Sequence, residues 1–185
     1  MKYIKRFSFF LLIGLFFMAC ETQMIDKLDD FNLENGGYMR IVTPFPVNSS
    51  TFKVSKANMG GTKLELVHEA VTPEKGAKFS AYDLEMSFTG SPAIAYKAYK
   101  SIPASAYASD ATTGYPRHTF AVSGAEAMTT MGLDTSKIKA GDRFVIRGTM
   151  KLTDGKSFNA ANTGANITGG AFYSSPFVYT INVTN

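Results

Sequence analysis

The chain has 185 residues, with 19 basic and 15 acidic side chains, two histidines and one cysteine. This length is typical of about one domain, and it is enough to build a hydrophobic core without disulfides. No stretch clusters its basic residues as a nucleic-acid interface requires, so the composition argues against nucleic-acid binding.

The first predicted element is a cleaved lipoprotein signal peptide over residues 1–19. Lys2, Lys5 and Arg6 precede a 13-residue apolar run. As a helix, that run spans only ~20 Å against a hydrocarbon core of about 30 Å, which excludes a membrane span. Its removal takes three of the 19 basic residues and none of the 15 acidic ones, so the mature chain is almost neutral.

Cys20 is the only cysteine, and it lies between Ala19 and Glu21. A small residue before a cysteine at the cleavage point resembles the lipobox of bacterial lipoproteins, which implies lipid attached to Cys20. Acidic residues soon after the cysteine resemble a surface-export signal of Bacteroidota. We therefore expect a lipid-anchored protein of the outer membrane, exposed at the cell surface. The alternative is an ordinary signal peptide with an unrelated cysteine.

Residues 20–36 are predicted to form a lipidated flexible tether. They are polar and show no sustained hydrophobic period. The carboxylates of Asp26, Asp29 and Asp30 do not follow the spacing of an EF-hand loop, so a solvated linker explains them better than a calcium site.

From Tyr38 onward apolar residues alternate with polar ones, which is typical of half-buried strands. Sheets with one apolar face must bury that face, so we predict an all-β protein. The expected fold is an Ig-like or fibronectin-like β-sandwich of seven to nine strands over residues 37–185. The clearest strands are centred on 63–69, 82–88, 118–122, 143–152 and 177–183, and weaker ones on 38–42, 51–55 and 94–101.

Two local signals refine this prediction. Asp154-Gly155 favours a tight hairpin, because glycine tolerates a positive φ. Ser123 and Glu126 form a capping-box pattern, in which the serine accepts from the third amide and the glutamate reaches back. One short helix is expected from there to Gly132.

Two long loops, 103–117 and 159–175, are rich in small and polar residues. Long loops on a rigid sandwich often carry binding sites, because their sequences vary without disturbing the core. Tyrosine rings could stack on a sugar while asparagine amides form hydrogen bonds with its hydroxyl groups. The alternative is that the asparagines and tyrosines of these loops only stabilise ordinary turns and cover the ends of the sandwich. The candidate ligand or partner residues are Tyr107, Tyr115, Arg117, Asn162, Asn166 and Tyr173.

No catalytic pattern is present in the sequence. His68 and His118 each lie on the apolar face of a predicted strand, without the cysteines or carboxylates of a zinc site. Nucleophile elbows, phosphate loops and dinucleotide fingerprints are also missing. A spatial Ser-His-Asp arrangement remains open, but we expect no enzyme activity, no metal and no cofactor.

Thr135 is a candidate glycosylation site. Asp134-Thr135-Ser136 resembles the three-residue O-glycosylation site of exported Bacteroidota proteins, with Thr135 as the acceptor. The alternative is a solvated loop threonine. Three N-glycosylation patterns, at Asn48, Asn166 and Asn182, are expected to be chance matches in a bacterial lipoprotein.

Several segments resemble a family of small Bacteroidota surface lipoproteins, over roughly residues 36–183. They include Ser101–Ala106, Gly114–Arg117, Ala140–Phe144, Leu152–Gly155, Phe158–Thr163 and Gly169–Phe177. Genes of this family often lie beside those of SusC-like channels, which are TonB-dependent, and SusD-like lid lipoproteins. The resemblance implies an Ig-like fold and an accessory role in nutrient uptake. It implies no ligand residues.

Three functions follow as expectations. The first is a lipid-anchored, non-catalytic subunit of a SusCD-type importer, with the channel and the lid lipoprotein as partners. The second is a free-standing surface module that binds an oligosaccharide or a peptide. The third is an adhesin- or pilus-like subunit that assembles by strand addition at a sheet edge.

Overall fold

Alternating apolar side chains form ten strands in the computed structural model, which describes residues 36–45, 47–48, 50–169 and 173–185. The predicted signal peptide, Cys20 and the tether up to residue 35 lie outside the described residues. The strands are β1 (Tyr38–Thr43), β2 (Phe52–Ser55), β3 (Lys63–Val71), β4 (Phe79–Phe88), β5 (Ile94–Pro103), β6 (Ala108–Ser109), β7 (Pro116–Ser123), β8 (Arg143–Leu152), β9 (Ser157–Phe158) and β10 (Val178–Thr184). The α-helices are α1 (Gly124–Met131) and α2 (Ala165–Gly169).

The strands form two sheets. The smaller sheet has the order β1-β3-β7-β6, and the larger has the order β2-β10-β8-β4-β5, with β9 added to β8. All neighbours are antiparallel except β2 and β10, which are parallel. Because β1 and β2 join different sheets, the opening segment of the domain spans the sandwich. The crossovers between the two sheets match the Ig-like arrangement, so the predicted β-sandwich is confirmed.

The core lies between the two sheets, where every second side chain of the central strands, such as β8 and β10, is buried. Leu64, Leu66 and Phe120 of the smaller sheet are buried, as are Phe144 and Ile146 of the larger one. Such interdigitation of two inner faces is the main source of stability in a sandwich. The eight strands predicted from the alternation are all present, and only the two-residue strands β6 and β9 were not predicted.

The predicted turn signals are confirmed in part. Gly155 has φ +84° in the hairpin between β8 and β9. The hydroxyl of Ser123 accepts from the amide of Glu126 at 3.1 Å, and Gly132 ends α1 in a left-handed conformation. The carboxylate of Glu126 does not complete a capping box, because it accepts instead from the Tyr99 hydroxyl at 2.6 Å.

The two long loops are more structured than the sequence indicated. The first contains β6, and β7 begins at Pro116, so Arg117 lies in a strand rather than in the loop. The second contains α2, which makes two short helices where one was expected. Five residues without an amphipathic period give too weak a sequence signal for a helix.

No helix in the described part of the chain combines the length and the apolar character needed to cross a bilayer.

Candidate functional site

A row of charged residues crosses the outer face of the smaller sheet. Arg40 of β1 lies opposite Glu69 of β3, and Glu69 lies opposite Arg117 of β7. Residues directly opposite each other on neighbouring strands project to the same face, so the three side chains meet. Asp110, two residues beyond Ala108 of β6, completes the group. We call Arg40, Glu69, Asp110 and Arg117 the arginine cluster.

Glu69 is the centre of the arginine cluster, and its side chain is fully buried although it lies on the outer face. Its Oε1 accepts from Nε of Arg40 at 2.8 Å and also from Nη2 of the same side chain. Its Oε2 accepts from Nε of Arg117 at 2.6 Å and from the Thr113 hydroxyl at 3.2 Å. Both carboxylate oxygens are therefore paired, as a buried charge requires.

Asp110 anchors the loop that covers Glu69. Its Oδ1 accepts from the amides of Thr113 and Thr112 at 2.8 and 3.2 Å, and its Oδ2 accepts from Nη1 of Arg117 at 2.6 Å. The bonds from Thr113, together with the charge of Arg117, hold the pKa of the Asp110 carboxyl below its usual range. An aspartate that bonds to amides two and three residues later is a common way to close a turn.

Both long loops reach the first strand of the smaller sheet. The ring centroid of Tyr115, from the first loop, lies 5.8 Å from Cζ of Arg40. Tyr173, from the second loop, packs edge-on against Tyr38 with ring centroids 5.2 Å apart. Ser174 accepts a hydrogen bond from the amide of Ile41 at 2.8 Å. Three of the predicted candidates, Tyr115, Arg117 and Tyr173, therefore lie around β1 and the arginine cluster.

The environment of Arg40 favours its charged form. Burial opposes the charge, but the hydrogen bond to Glu69 and the nearby Tyr38 and Tyr115 outweigh that cost, and the pKa of Arg40 is raised. The guanidinium is thus a fixed positive charge on the face of the sheet. Its side chain is 29% exposed, as is that of Arg117.

Three other candidates do not join this group. Tyr107 is buried against Phe79, with ring centroids 4.8 Å apart. Asn162 supports its own loop, because its Nδ2 donates to the carbonyl of Ser157 at 2.8 Å. Asn166 lies in α2, and its side chain lies outside the described residues.

An open concavity of about 350 Å³ adjoins the arginine cluster. Phe45 forms part of its wall, and this ring is 60% exposed. The other lining residues are Arg40, Ile41, Val42, Glu69, Thr113, Arg117 and Ser174. Sequence reasoning missed Arg40, Phe45 and Glu69, because their meeting depends on the strand register and not on any local motif.

The outer face of the larger sheet is a second open surface. Two concavities of about 530 and 390 Å³ adjoin there, and both include Glu85 and Thr149. Arg147 donates to Glu85 at 2.7 Å, and its Cζ lies 4.0 Å from the ring centroid of Tyr96. The charges of Arg147 and Glu85 are therefore paired, and the Tyr96 ring lies on the edge strand β5.

The two histidines differ in exposure. His68 is fully buried between Tyr82, Phe120 and Tyr179, and burial lowers its pKa to about 3. It is therefore neutral near pH 7 and out of contact with solvent. Nδ1 of His118 lies 3.0 Å from the carbonyl oxygen of Ala106. Within the described ranges, no three His, Cys, Asp or Glu side chains are placed to share a metal ion.

Thr135 lies in an exposed one-turn 3₁₀ helix, Thr135–Lys137. Asp134 caps this turn by accepting from the amide of Ser136 at 2.8 Å. The side chain of Thr135 is accessible to a modifying enzyme, and the glycosylation of this residue stays a prediction.

Comparison with known proteins gave no family and no relative: no protein-family model matches the chain, and no curated protein matches its sequence.

Proposed function

We propose that this chain is a lipid-anchored, non-catalytic accessory subunit of a SusCD-type nutrient importer in a bacterial outer membrane. In this proposal Cys20 carries the lipid, and the sandwich docks on the SusC-like channel or on the SusD-like lid lipoprotein. The resemblance of the sequence to small Bacteroidota surface lipoproteins gives the class of partner.

The observation that carries this proposal is the exposed edge strand of the larger sheet. Seven of the ten residues of β5 are exposed, and β5 pairs with β4 on one side only within the described residues. An unpaired edge offers backbone donors and acceptors to a partner. The adjoining face supplies the two concavities that include Tyr96, Tyr99 and Lys100.

The edge strand is held in place before any partner arrives. The hydroxyl of Tyr99 donates to Glu126 of α1 at 2.6 Å, and the hydroxyl of Ser101 donates to Asp83 of β4 at 2.6 Å. Because β5 is already ordered, docking would require little loss of conformational entropy. The predicted tether of 17 residues, Cys20 to Gly36, reaches about 60 Å when fully extended, which allows contact with a neighbouring membrane protein.

The alternative of a free-standing glycan-binding module is favoured by one observation, the open concavity beside the arginine cluster. The strand-exchanging adhesin has less support. Its donor strand would be β10, and β10 pairs with β2 on one side and with β8 on the other. Strand donation would require breaking both ladders.

The test is co-purification of partners from native outer membrane in mild detergent, with a tag at the C-terminus of the full-length lipoprotein. We expect a channel and a lid lipoprotein in stoichiometric amounts. Ala98→Arg in β5 should abolish their recovery, because Ala98 is exposed and lines the larger of the two concavities described on this face.

The matched control is Ala111→Arg, the same substitution at an exposed residue of the loop between β6 and β7. It should leave co-purification intact. Recovery of the unmodified protein without any partner would overturn the proposal. Equal recovery from the Ala98→Arg variant would show that β5 is not the docking strand.

A further inference from the structure

We propose that the concavity beside the arginine cluster binds the carboxylate of a sugar acid, as found in the hexuronic acid units of acidic oligosaccharides. This site lies on the smaller sheet, on different strands from the edge that we propose for docking. The inference therefore goes beyond the docking function, and either one can fail without the other.

The charged side chains of this concavity offer hydrogen-bond donors and no free acceptors. Nη1 of Arg40 and Nη2 of Arg117 form no hydrogen bond with the described residues. Both oxygens of Glu69 are already paired and buried, and both oxygens of Asp110 accept internal bonds. A surface of this kind favours a ligand that accepts hydrogen bonds. Guanidinium groups match the planar geometry of a carboxylate.

The internal salt bridges also keep the two arginines in place. Each guanidinium is fixed by Glu69, and Arg117 is fixed in addition by Asp110. Since their side chains are already ordered, a ligand would not need to immobilise two flexible arginines. The carboxylates of Glu69 and Asp110 therefore act as positioning groups, and the partly exposed guanidinium groups are the recognition surface.

The apolar part of the concavity suits a sugar ring. Phe45 exposes 60% of its surface beside the arginine cluster, and the apolar side chain of Val42 also lines the concavity. An aromatic face packs well against the C–H face of a pyranose, which buries apolar area without needing further hydrogen bonds. A volume of about 350 Å³ fits a small ligand.

The edge of the sheet argues against an extended peptide as the ligand. β1 is an edge strand, and a peptide could in principle extend the sheet there. The outward amide of Ile41 already donates to the carbonyl of Ser174 at 2.8 Å. Strand addition next to the concavity is thus blocked, whereas a sugar needs no backbone ladder.

The first experiment is calorimetric titration of the full-length protein in mild detergent with trigalacturonic acid. The methyl ester of the same trisaccharide is the matched ligand, because it keeps the rings and removes the negative charges. We expect binding of the acid, at least about tenfold weaker binding of the ester, and weaker binding of the acid at high salt. Equal binding of acid and ester, or no binding of the acid, would overturn the proposal.

Variants then test the location of the site. Phe45→Glu places a negative charge at an exposed position of the wall, so it should abolish binding without disturbing the core. The double variant Arg40→Gln with Glu69→Gln removes one charge of each sign, and it should weaken binding about tenfold or more. Tyr96→Glu, on the larger sheet, is the control and should bind normally. Unchanged binding by Phe45→Glu, or preferential binding of a peptide with a C-terminal carboxylate, would contradict the assignment.

Discussion

At the scale of single residues, β3 buries two adjacent ionisable side chains, and each avoids an unpaired charge in a different way. The carboxylate of Glu69 is surrounded by donors from Arg40 and Arg117. His68 points into the core, where neither ring nitrogen has a hydrogen-bond partner among the described residues, and it remains neutral. A buried charge must be paired or removed, and one strand shows both outcomes.

The burial of His68 predicts a loss of stability in acid. Burial, with a smaller contribution from the charge of His118, lowers the pKa of His68 from 6.5 to about 3. Below pH 6.5 the unfolded chain therefore binds a proton that the folded chain excludes. The free energy of unfolding should fall by about 1.4 kcal/mol for each pH unit between 6.5 and 3 from this residue alone.

The measurement is urea unfolding at pH 7 and at pH 4.5. His68→Phe should lose less stability than the unmodified protein over this interval, by about 2.5 kcal/mol. Parallel pH profiles for the unmodified protein and His68→Phe would show that the core does not exclude the proton.

At the scale of elements, the three central strands of the larger sheet depend on one close contact. Gly148 of β8 lies beneath Tyr82 of β4, so close that an added Cβ would lie 2.0 Å from the Tyr82 hydroxyl oxygen. That hydroxyl shares a hydrogen bond of 2.8 Å with the hydroxyl of Tyr179 in β10. The glycine thus makes room for a buried tyrosine pair that joins β4 to β10 across β8.

Gly148→Ala should therefore destabilise the domain. The ring of Tyr82 is fully buried and an added Cβ would overlap it, so overpacking should lower the free energy of unfolding by about 1–3 kcal/mol. Gly60→Ala is the matched control, because an added Cβ there meets nothing within 4 Å. Thermal or urea unfolding of both variants gives the comparison. Equal stability of the two would mean that Tyr82 has an alternative position.

At the scale of the whole molecule, the proposed anchor and the proposed binding surfaces are separate parts of one chain. Cys20 would hold the protein at the membrane, while the sandwich provides the edge strand β5 and the arginine cluster. These surfaces lie on different sheets, so docking to a channel and binding of a sugar acid need not compete. A domain of this kind could present a ligand while it remains attached to a transporter.

The anchor predicts where the protein is found. Cys20→Ser removes the only thiol that could carry lipid, so the variant should move from the detergent phase to the aqueous phase in a detergent phase-separation assay. The intact mass of the unmodified protein should exceed that of residues 20–185 by the mass of its acyl groups. Detergent partitioning that does not change in the Cys20→Ser variant would contradict lipid attachment.

The period-two alternation predicted the eight longer strands and the sandwich. Successive side chains of a strand point to opposite faces, so alternating apolar residues identify the face that is buried. Ser123, Gly132 and Gly155 likewise marked the ends of α1 and the β8–β9 hairpin through local backbone requirements. The five-residue helix α2 had no such signal. The candidate site was predicted only in part. Tyr115, Arg117 and Tyr173 were named because they lie in or beside the two long loops, and the structure places all three around β1 and the arginine cluster.

The sequence by itself determined which residues of the longer strands face the core and where the turns beside α1 and between β8 and β9 occur. Only the tertiary structure decided that Arg40, Glu69 and Arg117 form one row, because strand register brings together residues that are 29 and 48 positions apart. It also decided that Glu69 is buried on an outer face and that Tyr107 is unavailable to a ligand. These outcomes depend on which loop covers which strand, and that is a property of packing between segments distant in the chain.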